Sequence, residues 1–184
     1  MSAPHVVVVM GVSGTGKSTV GRLLATELRV PYADADDFHP PANIAKMSAG
    51  IPLDDVDRAP WLDAIGDWLG AHADTGGVVG CSALKRAYRD RLRRAAPDAI
   101  TVHLAGDRAL IAERLHERTG HFMPETLLDS QFADLQPLEP DEAGVSLDIT
   151  PGPSTLTAQA VAALRRLEIP RNPDTHRNPN QGTP

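Results

Sequence analysis

"VVVVMGVSGTGKST", residues 6–19, decides the fold. Four consecutive valines are β-branched and apolar on both faces, so they suit a strand covered on both sides of a sheet. Next, Gly11, Gly14, Gly16, Lys17 and Ser18 fill every fixed position of the pattern G-x-x-x-x-G-K-[ST]. Glycines there let the backbone curl until several N–H groups aim at one phosphate chain. Val20, Leu23, Leu24 and Leu28 then follow at i, i+3, i+4, i+8, which predicts a helix whose positive N-terminal end meets the same anion. Gly11, Val12, Ser13, Gly14, Thr15, Gly16, Lys17, Ser18 and Thr19 are thus the expected binding set for a nucleoside triphosphate. Lys17 is expected to reach the β- and γ-phosphates, and the Ser18 hydroxyl to ligate Mg²⁺.

Outward from this stretch the chain alternates. Short β-branched runs recur at 77–81, 100–104 and 145–149, with a weaker one at 30–33. Helical spacing links Trp61, Ile65, Trp68 and Leu69, then Leu110, Ile111 and Leu115, then Leu156, Ala160, Val161, Ala163, Leu164 and Leu167. Strands alternating with helices predict an α/β fold: right-handed crossovers, a parallel sheet covered on both faces, and ligands beyond the carboxyl ends of the strands. The 184 residues suit one domain, expected over 1–169, followed by a Pro- and Asn-rich tail (170–184) expected to be disordered. A net charge of −6 argues against binding a nucleic-acid backbone. The single cysteine, Cys81, excludes an intrachain disulfide and suits a reducing compartment. The apolar run 6–9 is too short to span a membrane and lacks the flanks of a secretion signal, so a cytoplasmic protein is expected.

The class of nucleotide enzyme follows from what the loop lacks. No N/T-K-x-D motif reads guanine, and the third run ends "VVGCSALK", with Cys81 and Ser82 where a motor ATPase places a metal-holding Asp. Acids for the metal and for a phosphoryl acceptor must come from elsewhere, and "YADADDFHPPANIAKM" (32–47) supplies them. Asp34 is assigned to the Mg²⁺ shell and Asp36 to the acceptor hydroxyl, since residues two apart in an extended segment face the same side. The general base stays open among Asp34, Asp36 and Asp37. Asp37 and His39 are further candidates to bind substrate; the alternative for them, and for Asp36, is that they merely cap a helix starting near Pro40 and Pro41. Arg58, expected just before a helix, could fork onto a carboxylate. Lys85 and Arg89, four apart after the third strand, would share a helix face. Arg114, Arg118 and His121, at a helix end followed by Gly120 and Pro124, would fold over the triphosphate.

Together "GVSGTGKST", "DADDFHPPANIAKMSAGIPLDDVDRAPWL", "CSALKRAYRDRLR" and "RTGHFMPETLLDSQFADLQPLE" resemble the small gluconokinases, P-loop kinases related to shikimate and adenylate kinases. The resemblance runs in order from about residue 6 to 167; its first motif is generic, whereas the block from Asp36 to Leu62 and the one from Gly120 to Glu139 are specific. It implies ATP-dependent phosphorylation of D-gluconate on its 6-hydroxyl, giving 6-phosphogluconate, by a cytoplasmic homodimer. It implies a three-layer fold with a central five-stranded parallel sheet, helices on both faces and a mobile lid at about 114–136. Carried onto this sequence, Lys17, Asp36 and Arg118 are catalytic, and Arg114 and Arg118 join the ATP site. Asp36, His39, Arg58, Lys85, Arg89, His121 and Gln131 form the substrate set. Rival readings are a related kinase acting on shikimate, and a protein that binds ATP without transferring phosphate.

Overall fold

The valine run forms β1 (Val6–Met10), buried along its whole length. The computed structural model describes residues 5–117 and 125–167. After β1 come α1 (Lys17–Leu28), β2 (Tyr32–Asp34), a 3₁₀ turn (Ala35–Phe38), α2 (Pro41–Ser48), α3 (Asp55–Ala71) and β3 (Gly77–Gly80). The chain continues through α4 (Arg86–Ala95), β4 (Ile100–Ala105), α5 (Arg108–Glu117), α6 (Glu125–Asp134), β5 (Gly144–Asp148) and α7 (Pro153–Arg166). The sheet order is β2-β3-β1-β4-β5, every pair parallel.

Period-two alternation along β1 builds the layers. Val7 and Val9 point into a core shared with Val20 and Leu24 of α1 and Leu156, Ala160 and Leu164 of α7. Val6, Val8 and Met10 point the other way, against Trp61, Leu62, Ile65 and Leu69 of α3 and Leu92 of α4. This is the expected three-layer α/β architecture. Parallel strands put all five carboxyl ends on one edge, where the loops after β1, β2 and β3 meet.

Two boundaries differ from expectation. β2 begins at Tyr32 rather than Val30, because Arg29 turns left-handed (φ 57°) to close α1 and the Val30 N–H still bonds to Ala25 O. Asp34 therefore ends the strand instead of following it. The helix bearing Arg58 starts earlier than expected. Asp54 accepts from the Asp57 N–H at 2.8 Å and Asp57 accepts from the Asp54 N–H at 3.1 Å, a capping box that starts α3 at Asp55 and places Arg58 inside its first turns.

Candidate active site

The phosphate loop joins β1 to α1 and is held from several sides. Gly14 (φ 87°) lies in the left-handed region, and a Cβ there would sit 2.8 Å from Leu115 Cγ, so neither the backbone nor the packing against α5 admits a side chain. The Thr15 hydroxyl donates to Val12 O at 2.9 Å, as does Lys17 Nζ at 3.1 Å, which folds the lysine over the loop it belongs to. Gln131, expected on the substrate, meets this loop. It accepts from the Ser13 N–H at 2.7 Å and donates to Ser13 Oγ at 3.1 Å. The physical reason is α6 itself, which buries Leu128 in the main core and so aims Gln131 at the loop.

Beside the loop, one carboxylate gathers three donors. Asp34 Oδ2 accepts from Ser18 Oγ at 3.1 Å and from the Tyr32 hydroxyl at 3.3 Å, while Oδ1 accepts from the Asp36 N–H at 3.2 Å. A hydroxyl and a carboxylate at the head of α1 are hard oxygen donors of the kind Mg²⁺ takes beside phosphate oxygens, usually through only one or two carboxylates. No cluster of three or more His, Cys, Asp or Glu suited to a metal occurs among the described residues. The donor set fits Mg²⁺ shared with a nucleotide and not a protein-only cage.

Asp36 lies in the 3₁₀ turn, so the extended pairing expected for Asp34 and Asp36 is not what aligns them. The two stay linked through the Asp36 N–H, which donates to Asp34 Oδ1. Cys81, one residue beyond β3, lies within electrostatic reach of Lys17, Asp34 and Asp36. Burial pushes its thiol up to about 12, so Cys81 is packing and not a nucleophile. The helix-cap alternative finds no bond for Asp36 or Asp37: α2 has Pro40 at its N-cap and no side-chain cap, and both acids are exposed.

His39 carries the site onward. Its ring stacks on Trp61 (centroids 4.7 Å apart, planes within 6°) and lies 3.4 Å from Asn43 Nδ2 through Nδ1. Burial and the Arg58 charge lower its pKa against the opposing pull of Asp36, which keeps the ring neutral at neutral pH and able to serve hydroxyls. Beyond His39 stands a basic group. Arg58 Nη1 donates to the Tyr88 hydroxyl at 3.1 Å, and both Tyr88 and Lys85 (3.2 Å) donate to Asp55 Oδ1. His39 thus lies within electrostatic reach of both Asp36 and Arg58, and Arg58 and Lys85 meet at Asp55.

The shikimate kinase family model matches residues 13–133. The gluconokinase of Gluconobacter oxydans (strain 621H) is 50% identical over 141 residues, 76% of this chain and 79% of that protein. The thermosensitive gluconokinase of Escherichia coli (strain K12) is 44% identical over 169 residues, 88% of this chain and 90% of that protein. The crystal structure of a gluconokinase from Sinorhizobium meliloti 1021 superposes with a TM-score of 0.83 at 46% identity, covering 91% of this chain and 95% of that one. The chain belongs to the gluconokinase family.

Within this gluconokinase-family fold, Arg89 faces the interior and not the substrate side. It was expected to share a helix face with Lys85 and meet substrate. Instead Lys85 is the N-cap of α4, and Arg89 turns inward to 1% exposure. Arg89 Nε and Nη2 grip Glu142 at 2.6 and 2.8 Å, and the remaining N–H groups meet the carbonyls of Ala83, Leu84, Gln136 and Pro137. Every donor is spent on the chain's own acceptors. What the pair does is hold the loop presenting Lys85, including Ala83 at φ 42°, a strained conformation for an L residue. Burial pushes the Glu142 carboxyl up, but the Arg89 and Glu139 N–H bonds and the charges of Arg89 and Arg86 outweigh it and leave it below the usual range. A depressed folded pKa means stability present at neutral pH and lost as pH falls through the carboxylate range. Arg89→Met is expected to lower unfolding free energy by about 3 kcal/mol, because it strands a buried carboxylate. Urea unfolding at pH 7 checks this, and Arg89→Met with Glu142→Gln should recover part of the loss.

Arg114 Nη2 donates to Ile149 O at 2.8 Å, which ties α5 to the end of β5 at the ligand edge. Arg118 and His121, with the centre of the expected lid, lie outside the described residues. Tyr32, Tyr88 and Asp55 were missed. Tyr88 had a signal, since it stands three residues after Lys85 and so shares its side of the α4 start.

Proposed function

We propose that the protein transfers the γ-phosphoryl group of ATP to the 6-hydroxyl of D-gluconate. The observation that carries this reading is the set of groups along the sheet edge. The phosphate loop carries Lys17; Arg58, Tyr88 and Lys85 already hold a carboxylate; and His39 is within electrostatic reach of both Asp36 and Arg58. Gluconate carries a carboxylate, hydroxyls and a terminal acceptor hydroxyl, which suit this set. Its carboxylate would meet Arg58 and Lys85, and its middle hydroxyls His39. The 6-hydroxyl would donate its hydrogen to Asp36 as the oxygen attacks phosphorus and the β-phosphate oxygen of ADP leaves.

Lys17 and the loop N–H groups stabilise charge on the phosphates, and Gln131 keeps the loop in place through Ser13. Mg²⁺, held by Ser18 and Asp34, would supply charge neutralisation between phosphate oxygens. Arg114 and Arg118 keep their proposed place on the triphosphate side, and the lid its proposed span at about 114–136. Homodimeric assembly and a cytoplasmic location are proposed from the family resemblance. The second is supported by the single buried thiol, which suits a reducing compartment. No helix among the described residues is long and apolar enough to cross a membrane.

Coupled measurement of ADP release, with and without a panel of acids, tests the reading. Gluconate should raise the rate well above the background without acceptor, and shikimate should not. Equal ADP release with and without gluconate, or turnover of shikimate in its place, would overturn it.

A further inference from the structure

The grip formed by Arg58, Tyr88 and Lys85 is engaged by an acid of the same chain. Tyr88 Oη and Lys85 Nζ both donate to Asp55 Oδ1, the lysine at 3.2 Å, and Arg58 Nη1 lies 3.9 Å from the same oxygen. Helix capping does not explain the arrangement. Asp54 and Asp57 cap α3 between them, and Asp57 also binds Lys46 at 2.6 and 2.8 Å. Asp55, alone of the three, turns its carboxylate to the basic group. We infer that Asp55 is a built-in occupant of the carboxylate subsite, which the substrate's carboxylate displaces on binding.

The inference rests on the reading above that Arg58 and Lys85 hold the substrate carboxylate. Three physical points then support it. Two carboxylates cannot share one set of donors without strong like-charge repulsion, so one must leave. Hydrogen bonds from Tyr88 and then Lys85 hold the Asp55 carboxyl below its usual range, so it does not escape the conflict by protonation. Its side chain is 66% exposed, and exposed ion pairs are weak, so it leaves at little cost. Lys85 also has Asp134 of α6 at 3.8 Å, a second anion beside the vacated position.

Such an occupant makes the subsite an exchange site. A neutral polyol that displaces Asp55 strands the cations, and a lone simple anion gains too little to displace it. A ligand with a carboxylate and well-placed hydroxyls exchanges one charge-assisted grip for another and keeps its hydroxyl contacts. Asp55 is thus a specificity-determining residue that acts by opposing every ligand except the right one.

Calorimetric titration of gluconate into Asp55→Asn and Asp55→Ala tests this, alongside KM in the coupled assay. Both variants retain the Asp54–Asp57 cap, and the asparagine form keeps the shape should the alanine form fold poorly. Gluconate should bind about 1.5- to 5-fold more tightly, the scale of an exposed ion pair. Acetate should become a better competitor, and a neutral hexitol should bind no more weakly than before. Weaker or unaltered gluconate binding in both variants overturns the inference and makes Asp55 a support for the cations. An Arg58→Met arm separates the two failures. Undiminished gluconate affinity there means that the subsite itself is misassigned. A loss there, without tightening in the Asp55 variants, removes only the displacement.

Discussion

Lys17→Ala is expected to lower kcat by about 10³-fold or more while leaving the folded protein in place, the scale seen when a fixed positive group is removed from a phosphoryl-transfer site. The side chain leaves the first residue of α1 and bonds to Val12 O in the loop, and it belongs to neither core cluster. Its removal costs no apolar packing, and alanine suits a helix start at least as well as lysine. The loss therefore falls on charge stabilisation. Circular dichroism and a melting curve should match the parent closely, and the coupled assay should read background. A variant that lost its folded state but kept its activity per folded molecule would contradict the assignment. Lys17→Arg keeps the charge but presents a planar fork on a longer stem, and should recover little.

How far the site could be read in the sequence depended on the range of each interaction. The β1 valines announce a strand buried on both faces, and the glycine pattern fixes the loop after it, because both signals are local. The five strands and most of the packed faces of α1, α3, α5 and α7 follow from periodicity for the same reason, though Leu23 of α1 faces solvent instead of the core. Arg89 did not, because spacing alone made it a neighbour of Lys85, whereas its partner Glu142 lies 53 residues away and pulls it into the interior. Gln131 meets Ser13 across 118 residues, a contact that no local pattern encodes. Asp55 illustrates a subtler limit. Three acids in "DDVD" look alike as a capping cluster, and only the fold separates the two that cap from the one facing Arg58, Tyr88 and Lys85.

Asp36→Asn sets proton acceptance against mere placement. The substitution keeps the volume, an oxygen acceptor and the turn, since Asp34 Oδ1 holds the residue 36 N–H whatever its side chain. It removes the charge and the capacity to take the acceptor hydroxyl's proton. Phosphoryl transfer depends on positioning and charge, and a positioned acid–base group contributes about 10²- to 10⁴-fold. A loss of kcat on that scale is expected, with ATP affinity little altered because the phosphate loop is untouched. Asp34→Asn should behave differently. Its oxygen can still accept from the Asp36 N–H and hold the 3₁₀ turn, but the weakened metal ligand should raise the Mg²⁺ concentration needed for half-maximal rate. The two variants thus separate acceptor chemistry from metal binding at positions two residues apart. If Asp36 served only to shape the chain ahead of α2, asparagine would replace it at no cost. Turnover near the parent rate in Asp36→Asn would then move the base to Asp37, the other exposed acid of the same turn, and Asp37→Asn would have to show the loss instead.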